Sequence, residues 1–326
     1  MQAATRLLSP NEFSRWDEFV DQHPAGTIFH KTTWLRLVDP GIKIHVLETG
    51  GVIKAGLALI KTKRNRVTGY HIPPYTQYFS PLYSGGGSKN SLTEEHECIT
   101  ALLDSISDAK HMDFKLTRGH QSILPYHWKG FETSVTITHT VTGTLDNYLA
   151  QLNKNKLREL KKLLTLVDTN DLSIETSIKE SELNELMRHT TERKKFDANE
   201  KIVTGIVMNA GDDIAKKILI RSKSHGLLAF GFFPYDKKAV YNLINASVRV
   251  EDPVLKTINL LMIYKAIEFA LNTGRTFDFE GSMLKGVEAF CRLMGGTQVP
   301  VYRVQKSPSL QYGLLRAAKQ IKNDRK

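Results

Sequence analysis

The sequence predicts a mixed α/β protein of two domains, and three observations support that prediction. The chain has 326 residues, about twice the size at which a single hydrophobic core is most common. Apolar residues recur at helical spacing in some segments and form short β-branched runs in others. One order of elements then occurs twice: helices, a hairpin, a third strand, one long helix and a further strand. We therefore expect domains at 1–145 and 146–326, each a mixed antiparallel and parallel sheet flanked by helices.

The first domain begins with helices and continues with strands. Ser9 and Pro10 precede apolar residues three to four apart, which predicts a capped helix, and a second short helix is expected over His30–Val38. Two partly β-branched runs, Lys43–Thr49 and Val52–Lys61, meet at a pair of glycines and predict a hairpin. The elements expected after it are an extended segment, a helix and a strand, at Tyr75–Tyr83, Thr93–Lys110 and His111–Thr117.

The second domain repeats this order. Its long helix has the length that a crossover between parallel strands needs, and the basic segment 143–171 links it to the first domain. The predicted helices are Glu180–Lys194, Glu200–Ala210, Val254–Thr273, Lys285–Met294 and Ser309–Lys322. The predicted strands are Lys217–Ser222, Gly226–Pro234, Ala239–Ser247, Arg275–Glu280 and Thr297–Val304.

Composition excludes several classes of protein. No apolar run approaches the roughly 18 residues of a membrane-spanning helix, and the first twenty residues are too polar for a secretory signal. Two cysteines, Cys98 and Cys291, are too few for a disulfide scaffold, and we expect both to be buried and inert. The histidines show no metal-ligand spacing, and the common phosphate-loop and nucleophile motifs are absent. We therefore expect a cytoplasmic protein without a metal.

The positive charge is concentrated in the second domain. Residues 146–326 hold nine of the eleven net positive charges, mostly in Asn153–Lys162 and Arg303–Lys326. The first run predicts an amphipathic helix whose basic face either binds RNA or phosphate or is simply solvated. The last helix either contacts an anionic membrane peripherally or packs on its own domain. Anionic partners, including tRNA, are compatible with this surface, and no DNA partner is expected.

The segment Phe277–Ser282 holds the most specific candidate for catalysis. In a strand that reaches Glu280, Asp278 and Glu280 would share one face, Gly281 would permit an unusual turn, and Ser282 would cap the next helix. Two carboxylates at a strand end can accept a proton from an amine or hold an ammonium group. In the alternative interpretation, one acid pairs with a basic residue and the other orders the turn.

Other polar residues fall on neighbouring elements. Asn242 lies on one face of the predicted strand, and Asn245, Ser247 and Arg249 lie on the other. They indicate either a polar cleft or a solvated strand edge. Arg193 ends a predicted helix, where a cation also complements the helix dipole.

Four stretches resemble one family. They are Ile28–Trp34, Pro73–Leu82, Asn155–Lys162 and, most strongly, Phe277–Gly296 with its glycine pair. Together with the repeated order of elements, they resemble the tandem, FemAB-like branch of the GNAT superfamily of acyltransferases. The resemblance covers nearly the whole chain and implies two tandem GNAT-like domains.

That resemblance implies an N-acyltransferase without a permanently bound cofactor. The co-substrate would be acyl-CoA or aminoacyl-tRNA, and the acceptor an amine of a cell-envelope precursor or a sugar. The site would lie between the domains or over the second sheet, with residues in three roles. These are Asp278 and Glu280 in catalysis, Asn245, Arg249 and Lys256 at the donor, and Tyr78, Gln77, Arg193 and Ser282 at the substrate.

The chain departs from the family at the pyrophosphate loop. That loop, normally rich in glycine, would fall at Arg249–Thr257, which contains none. Backbone amides at the start of the long helix can still bind phosphate. A non-catalytic protein that binds RNA or an anionic envelope precursor therefore stays open as the alternative.

Overall fold

The computed structural model describes residues 5–64, 67–85, 91–118, 122–194, 199–281 and 283–307. Short 3-10 helices precede α1, α2 and α9, whose bounds follow. The helices are α1 Phe13–Gln22, α2 Thr32–Val38, α3 Ser91–Asp104, α4 Leu124–Trp128, α5 Leu145–Gln151, α6 Lys154–Asp168, α7 Glu180–Lys194, α8 Glu200–Asn209, α9 Ile258–Asn272 and α10 Lys285–Leu293. The strands are β1 Thr5–Leu7, β2 Lys43–Thr49, β3 Val52–Leu59, β4 Lys61–Arg64, β5 Val67–Tyr70, β6 Leu82–Tyr83, β7 Met112–Lys115, β8 Glu132–Val141, β9 Leu172–Glu175, β10 Ala215–Ser222, β11 Gly226–Pro234, β12 Ala239–Tyr241, β13 Ile244–Ser247, β14 Thr276–Asp278 and β15 Thr297–Lys306.

The chain divides into two compact units. The first unit combines Met1–Val135 with Val301–Lys326, and the second unit is Thr136–Pro300. Both boundaries fall within strands, β8 and β15. The predicted division at residue 145 follows the repeated order of elements, and it stays a prediction.

The first unit contains an antiparallel sheet in the order β1-β2-β3-β6. The glycine pair between β2 and β3 has φ of 58° and 77°, which is the left-handed backbone that the hairpin prediction required. In the same unit, β7 pairs in parallel with β5 and antiparallel with the end of β15. Trp16 and Trp34 are fully buried in its core. The unit therefore has the mixed sheet pattern that the sequence predicts.

The second unit contains the antiparallel sheet β13-β11-β10-β9, and β12 pairs in parallel with β14, which pairs antiparallel with β8. Helix α9 packs against β10, β11 and β14 and is apolar on most of its surface. Such a helix is stable only when it is buried on several sides, and Leu261, Met262 and Ala266 have no exposed surface. This helix supplies the centre of the second core.

Most predicted elements are present, and one is wrong in an informative way. Glu180–Lys194 and Gly226–Pro234 have the predicted bounds. The predicted continuous strand Ala239–Ser247 is broken into β12 and β13. Strands β1, β4, β5, β8 and β9 and helices α4 and α5 were not predicted, and the last predicted helix, Ser309–Lys322, lies outside the described residues.

Helix α6 carries the basic run on its exposed side. Its N-cap Asn153 accepts hydrogen bonds from the backbone amides of Asn155 and Lys156, at 3.0 and 3.4 Å. Leu160 and Leu163 are buried against the core, and the helix contacts α9. The exposed basic side chains are Lys154, Arg158, Lys161 and Lys162. The structure thus confirms the amphipathic helix.

Three further features bear on the class of protein. No helix in the described part of the chain has the length and apolarity to cross a bilayer. Burial raises the pKa of the Cys291 thiol to about 11, which suppresses the reactive thiolate. Cys98, predicted to be buried, is only half-buried. Within the described ranges, no group of three His, Cys, Asp or Glu residues is arranged to hold a metal ion.

Candidate active site in the second unit

In the second unit, an opening forms at the break between β12 and β13, because β12 pairs with β14 whereas β13 pairs with β11. On one side of the break, Tyr241 of β12 pairs with Asp278 of β14, and the Asn242 amide donates to the Asp278 carbonyl at 2.9 Å. The next donor of a continuing parallel ladder would be the Glu280 amide. That amide instead donates to the Asp278 Oδ1 atom at 2.8 Å, while β13 pairs with β11. We call the opening the fork; Asn242, Asn245, Asp278 and Glu280 bound it.

Asp278 holds the turn at one side of the fork. It has no exposed surface, and its Oδ1 atom also accepts a hydrogen bond from the Thr138 hydroxyl at 2.5 Å. Glu280 and Gly281 are both in the left-handed region, with φ of 61° and 65°. The prediction that Asp278 and Glu280 share one strand face is wrong, because β14 ends at Asp278 and the chain turns there.

Gly281 is required by this turn. A Cβ atom at position 281 would lie 1.9 Å from the Ile137 carbonyl oxygen, and its positive φ strains any other residue. The close approach to β8 fixes the backbone of Glu280 immediately before it. Glu280 is half-buried and its Oε1 atom is buried, so this carboxylate is held at the fork by its backbone. A fixed carboxylate can orient an amine or accept its proton.

Amide side chains occupy the other side of the fork. Asn245 donates from Nδ2 to the Asn242 Oδ1 atom at 2.6 Å. The Oδ1 atoms of Asn245 and of Asn259 on α9 are buried and accept no hydrogen bond from the described residues. Buried amide oxygens nearly always have a donor, so these two atoms are suited to N–H or O–H groups of a ligand.

The outer edge of β13 is closed by a side chain of α7. Val248 donates to the Leu228 carbonyl of β11, so the backbone groups of Ser247 point away from β11. The Ser247 amide donates to the Thr190 hydroxyl at 3.1 Å, and that hydroxyl lies 3.5 Å from the Ser247 carbonyl oxygen. An extended ligand normally binds an open sheet edge through such groups. At Ser247, the Thr190 hydroxyl already contacts both backbone groups.

The short 3-10 helix Leu255–Thr257, which leads into α9, is also capped by the chain itself. Asp252 Oδ1 accepts hydrogen bonds from the Val254 and Leu255 amides, both at 2.8 Å. These two bonds lower the pKa of Asp252 below its usual value. Arg249 extends into solvent with 80% of its side chain exposed, and Lys256 is also exposed. A carboxylate therefore takes the backbone amides that the predicted phosphate site would need.

Two predicted substrate residues belong to the first unit. Tyr78 and Gln77 are both buried, and the Tyr78 ring centroid lies 6.4 Å from that of Phe29 and 5.8 Å from the Lys115 Nζ atom. Of the others, Arg193 lies in the last turn of α7 with its side chain outside the described part of the structure. Ser282 also lies outside the described residues. The substrate roles of all four stay predictions.

Residues that shape the fork escaped the sequence analysis. Thr138 lies on β8, which was not predicted, and Thr190 is an ordinary polar residue of an expected helix. The capping role of Asp252 could have been predicted, because Asp followed by Pro253 is a pattern typical of a helix start. Thr138 and Thr190 reach the fork or its neighbouring strand only through tertiary contacts, whereas Asp252 acts on amides two and three residues after it.

Neither the protein-family models nor the curated proteins contain a match to this chain. Solved structures do match over nearly its whole length. FemX has a TM-score of 0.70 at 15% identity, covering 96% of this chain and 99% of its own. L-PGS from Bacillus licheniformis has a TM-score of 0.55 at 12% identity, covering 95% and 96%.

A tandem GNAT protein from the clavulanic acid biosynthesis pathway has a TM-score of 0.53 at 10% identity, covering 94% and 99%. At these identities the likeness concerns the fold. Both halves of the chain are covered, and each unit contains parallel as well as antiparallel strand pairs. The chain therefore has the FemAB-like tandem GNAT fold.

Proposed function

We propose that the protein is an N-acyltransferase that moves an acyl or aminoacyl group from an activated donor to an amine. The acceptor amine would belong to a cell-envelope precursor or a sugar. The observation that carries the proposal is the fork, where β12 and β14 part and the Glu280 carboxylate is held by a turn that tolerates only glycine next to it. The similarity of fold to FemX and to a tandem GNAT protein supports the same class of reaction.

The two carboxylates have different roles in this proposal. Glu280 orients the acceptor amine and takes its proton as nitrogen attacks the acyl carbonyl carbon. The bond from that carbon to the donor oxygen or sulfur then breaks, and the leaving group takes a proton. Asp278 is a positioning residue, because its Oδ1 atom is engaged by Thr138 and by the Glu280 amide. Orientation supplies most of the rate, since the acyl group is already activated.

Of the two candidate donors, the structure favours aminoacyl-tRNA over acyl-CoA. A pyrophosphate at the start of α9 would meet the Asp252 carboxylate, which repels it and already holds the amides. A pantetheine-like chain along β13 would have to displace Thr190 from Ser247. The exposed basic face of α6 is available to a polynucleotide backbone.

The remaining predicted contacts complete the proposal. Asn245 offers a buried amide oxygen to the donor, and the exposed Arg249 and Lys256 attract its phosphates. Tyr78, Gln77, Arg193 and Ser282 remain the proposed acceptor contacts.

Single-turnover transfer from labelled aminoacyl-tRNA to an amine-bearing envelope precursor tests the role of Glu280. We expect Glu280→Gln to lower the rate by about 100-fold or more, since loss of a positioned base costs roughly 10²–10⁴. Asp278→Asn should lower both the rate and the stability. Glu185→Gln, an exposed acid of α7, is the matched control and should transfer at the wild-type rate. Transfer by Glu280→Gln within threefold of wild type would show that the role is wrong.

A second candidate is a protein that keeps the fold and binds RNA or an anionic envelope precursor without turnover. The closed amides at α9 together with the exposed basic face of α6 favour it. Reversal of charge at Lys154, Lys161 and Lys162 should weaken tRNA binding and flatten its dependence on salt, because fewer counterions are released. Filter binding between about 50 and 200 mM salt measures both. Equal binding by variant and wild type at low salt would exclude α6 as the RNA surface.

A further inference from the structure

Three apolar side chains project into solvent at the start of α10. Met283, Leu284 and Val287 are 69%, 63% and 44% exposed, and they lie within five residues of one another. The buried residue of this helix is Cys291, which lies near the C-terminal end of α10. The first turn therefore carries an apolar surface that its own core does not cover. We call these three residues the apolar knob.

The knob is tied closely to the fork. Met283 follows Glu280 by three residues, a reach of at most ~11 Å for an extended chain. Gly281, between them, is fixed against β8 by its close approach to the Ile137 carbonyl. Whatever surface the knob touches is thus brought near the Glu280 carboxylate.

Charge around the knob identifies the kind of surface. Lys285 lies within the knob and is exposed, and Arg292 is 60% exposed farther along the helix. Glu288, the acid of this helix, is paired with Arg292 at 3.0 Å. Glu288 therefore does not neutralise the charge of Lys285. Apolar side chains beside a cation match the boundary between headgroups and acyl chains of an anionic bilayer.

A second exposed apolar group provides a comparison. Leu124 and Trp128 on α4 are 44% and 61% exposed. Trp128 packs edge-on against His96, with ring centroids 5.1 Å apart, and the neighbouring Lys129 is paired with Asp104 at 2.6 Å. That group is therefore partly covered and has its adjacent cation neutralised, unlike the knob.

We propose that the apolar knob docks the second unit on an anionic lipid bilayer. Met283, Leu284 and Val287 enter the acyl-chain boundary while Lys285 contacts lipid phosphates. Docking itself is independent of catalysis. Its consequence, that the fork meets amines presented at a membrane surface, rests on the proposed function.

Sedimentation with extruded vesicles of phosphatidylcholine containing 30% phosphatidylglycerol tests the docking. The wild-type protein should bind these vesicles and bind pure phosphatidylcholine vesicles more weakly. The variant Met283→Ser/Leu284→Ser/Val287→Ser should lose affinity by about tenfold or more, since each large apolar side chain that leaves hydrocarbon weakens binding. Leu124→Ser/Trp128→Ser removes comparable exposed apolar surface and should bind within twofold of wild type.

Four results would overturn the proposal. They are absence of wild-type binding, equal binding by the knob variant, an equal loss in the α4 variant, and a knob-dependent dimer in sedimentation equilibrium. Because the knob is exposed, its variant should keep the wild-type circular dichroism spectrum and melting temperature. Lys285→Glu, which leaves the apolar side chains in place, should weaken binding to the anionic vesicles only.

The assay separates this proposal from the proposed function. Transfer to an acceptor free in solution should be unchanged by the knob variant and lost in Glu280→Gln. Membrane binding should follow the opposite pattern. A protein that transfers without binding vesicles would contradict the docking alone, and one that binds without transferring would contradict the catalytic role alone.

Discussion

Asp278 and Glu280 are separated by one residue, yet the structure gives them different chemistry. Asp278 is fully buried, and one of its oxygens accepts hydrogen bonds from Thr138 and from the Glu280 amide. Glu280 follows it at positive φ, where the chain has left the strand. The Glu280 amide, which a continuing strand would have paired with β12, thus stabilises the turn instead. One carboxylate shapes the fork and the other is presented there.

A glycine substitution tests this turn at the residue scale. Gly281→Ala should reduce the free energy of unfolding by about 2 kcal/mol or more, because it combines positive φ with a clash against the Ile137 carbonyl. Gly286→Ala is the matched control, since a Cβ there meets nothing within 4 Å and α10 gains a better helix former. It should add about 0.5–1 kcal/mol. Urea unfolding of both variants measures the difference, and equal stability of the two would contradict the assigned turn.

Individual elements show how far the sequence predicts this structure. Long helices such as α7 and α9 were predicted because the spacing of their apolar residues is a local signal. The strand Ala239–Ser247 was predicted as continuous because its residue pattern does not change at Asn242. The break depends on which neighbour each half pairs with, β14 or β11, and pairing is not a local property. The fork follows from that break. The sequence alone therefore identified the residues of the fork but did not predict that they lie together.

The beginning of α9 is the element on which the choice of donor depends. Asp252 lowers the free energy of this helix start by accepting two backbone amides. Asp252→Ala should decrease the melting temperature at pH 7 by a few degrees, because the two amides lose their acceptor. Asp168→Ala is the control, because Asp168 is an exposed acid at the C-terminal end of α6. This substitution should leave the melting temperature unchanged or raise it slightly.

The same variant carries a signature in its pH dependence. The folded-state pKa of Asp252 lies below its usual value, so its contribution is fully present above the unfolded pKa of about 3.9. It is lost as the pH falls through the lowered folded value. The difference in melting temperature between wild type and Asp252→Ala should therefore shrink below about pH 4. A difference that is constant down to pH 2 would contradict the capping role.

At the scale of the whole molecule, each compact unit contains parallel and antiparallel strand pairs, and the candidate site lies in the second unit. That unit also contains α6, whose exposed basic face accounts for part of the net charge of +11. An exposed basic surface and an acid-capped α9 are consistent with an anionic polymer as donor and inconsistent with a pyrophosphate held at that helix start. Because the basic face belongs to this unit, we propose that the donor binds there.

The most direct test of this account is a donor panel measured by the free energy of unfolding. The purified protein would be unfolded at fixed moderate salt with acetyl-CoA, longer acyl-CoAs, UDP-sugars, uncharged tRNA or aminoacyl-tRNA. A donor at one hundred times its dissociation constant should add about 2.7 kcal/mol. We expect stabilisation by aminoacyl-tRNA that exceeds the effect of uncharged tRNA, and none by any CoA ester. Stabilisation by an acyl-CoA, lost when CoA is replaced by its dephosphorylated pantetheine fragment, would contradict the proposed donor and the closed phosphate site.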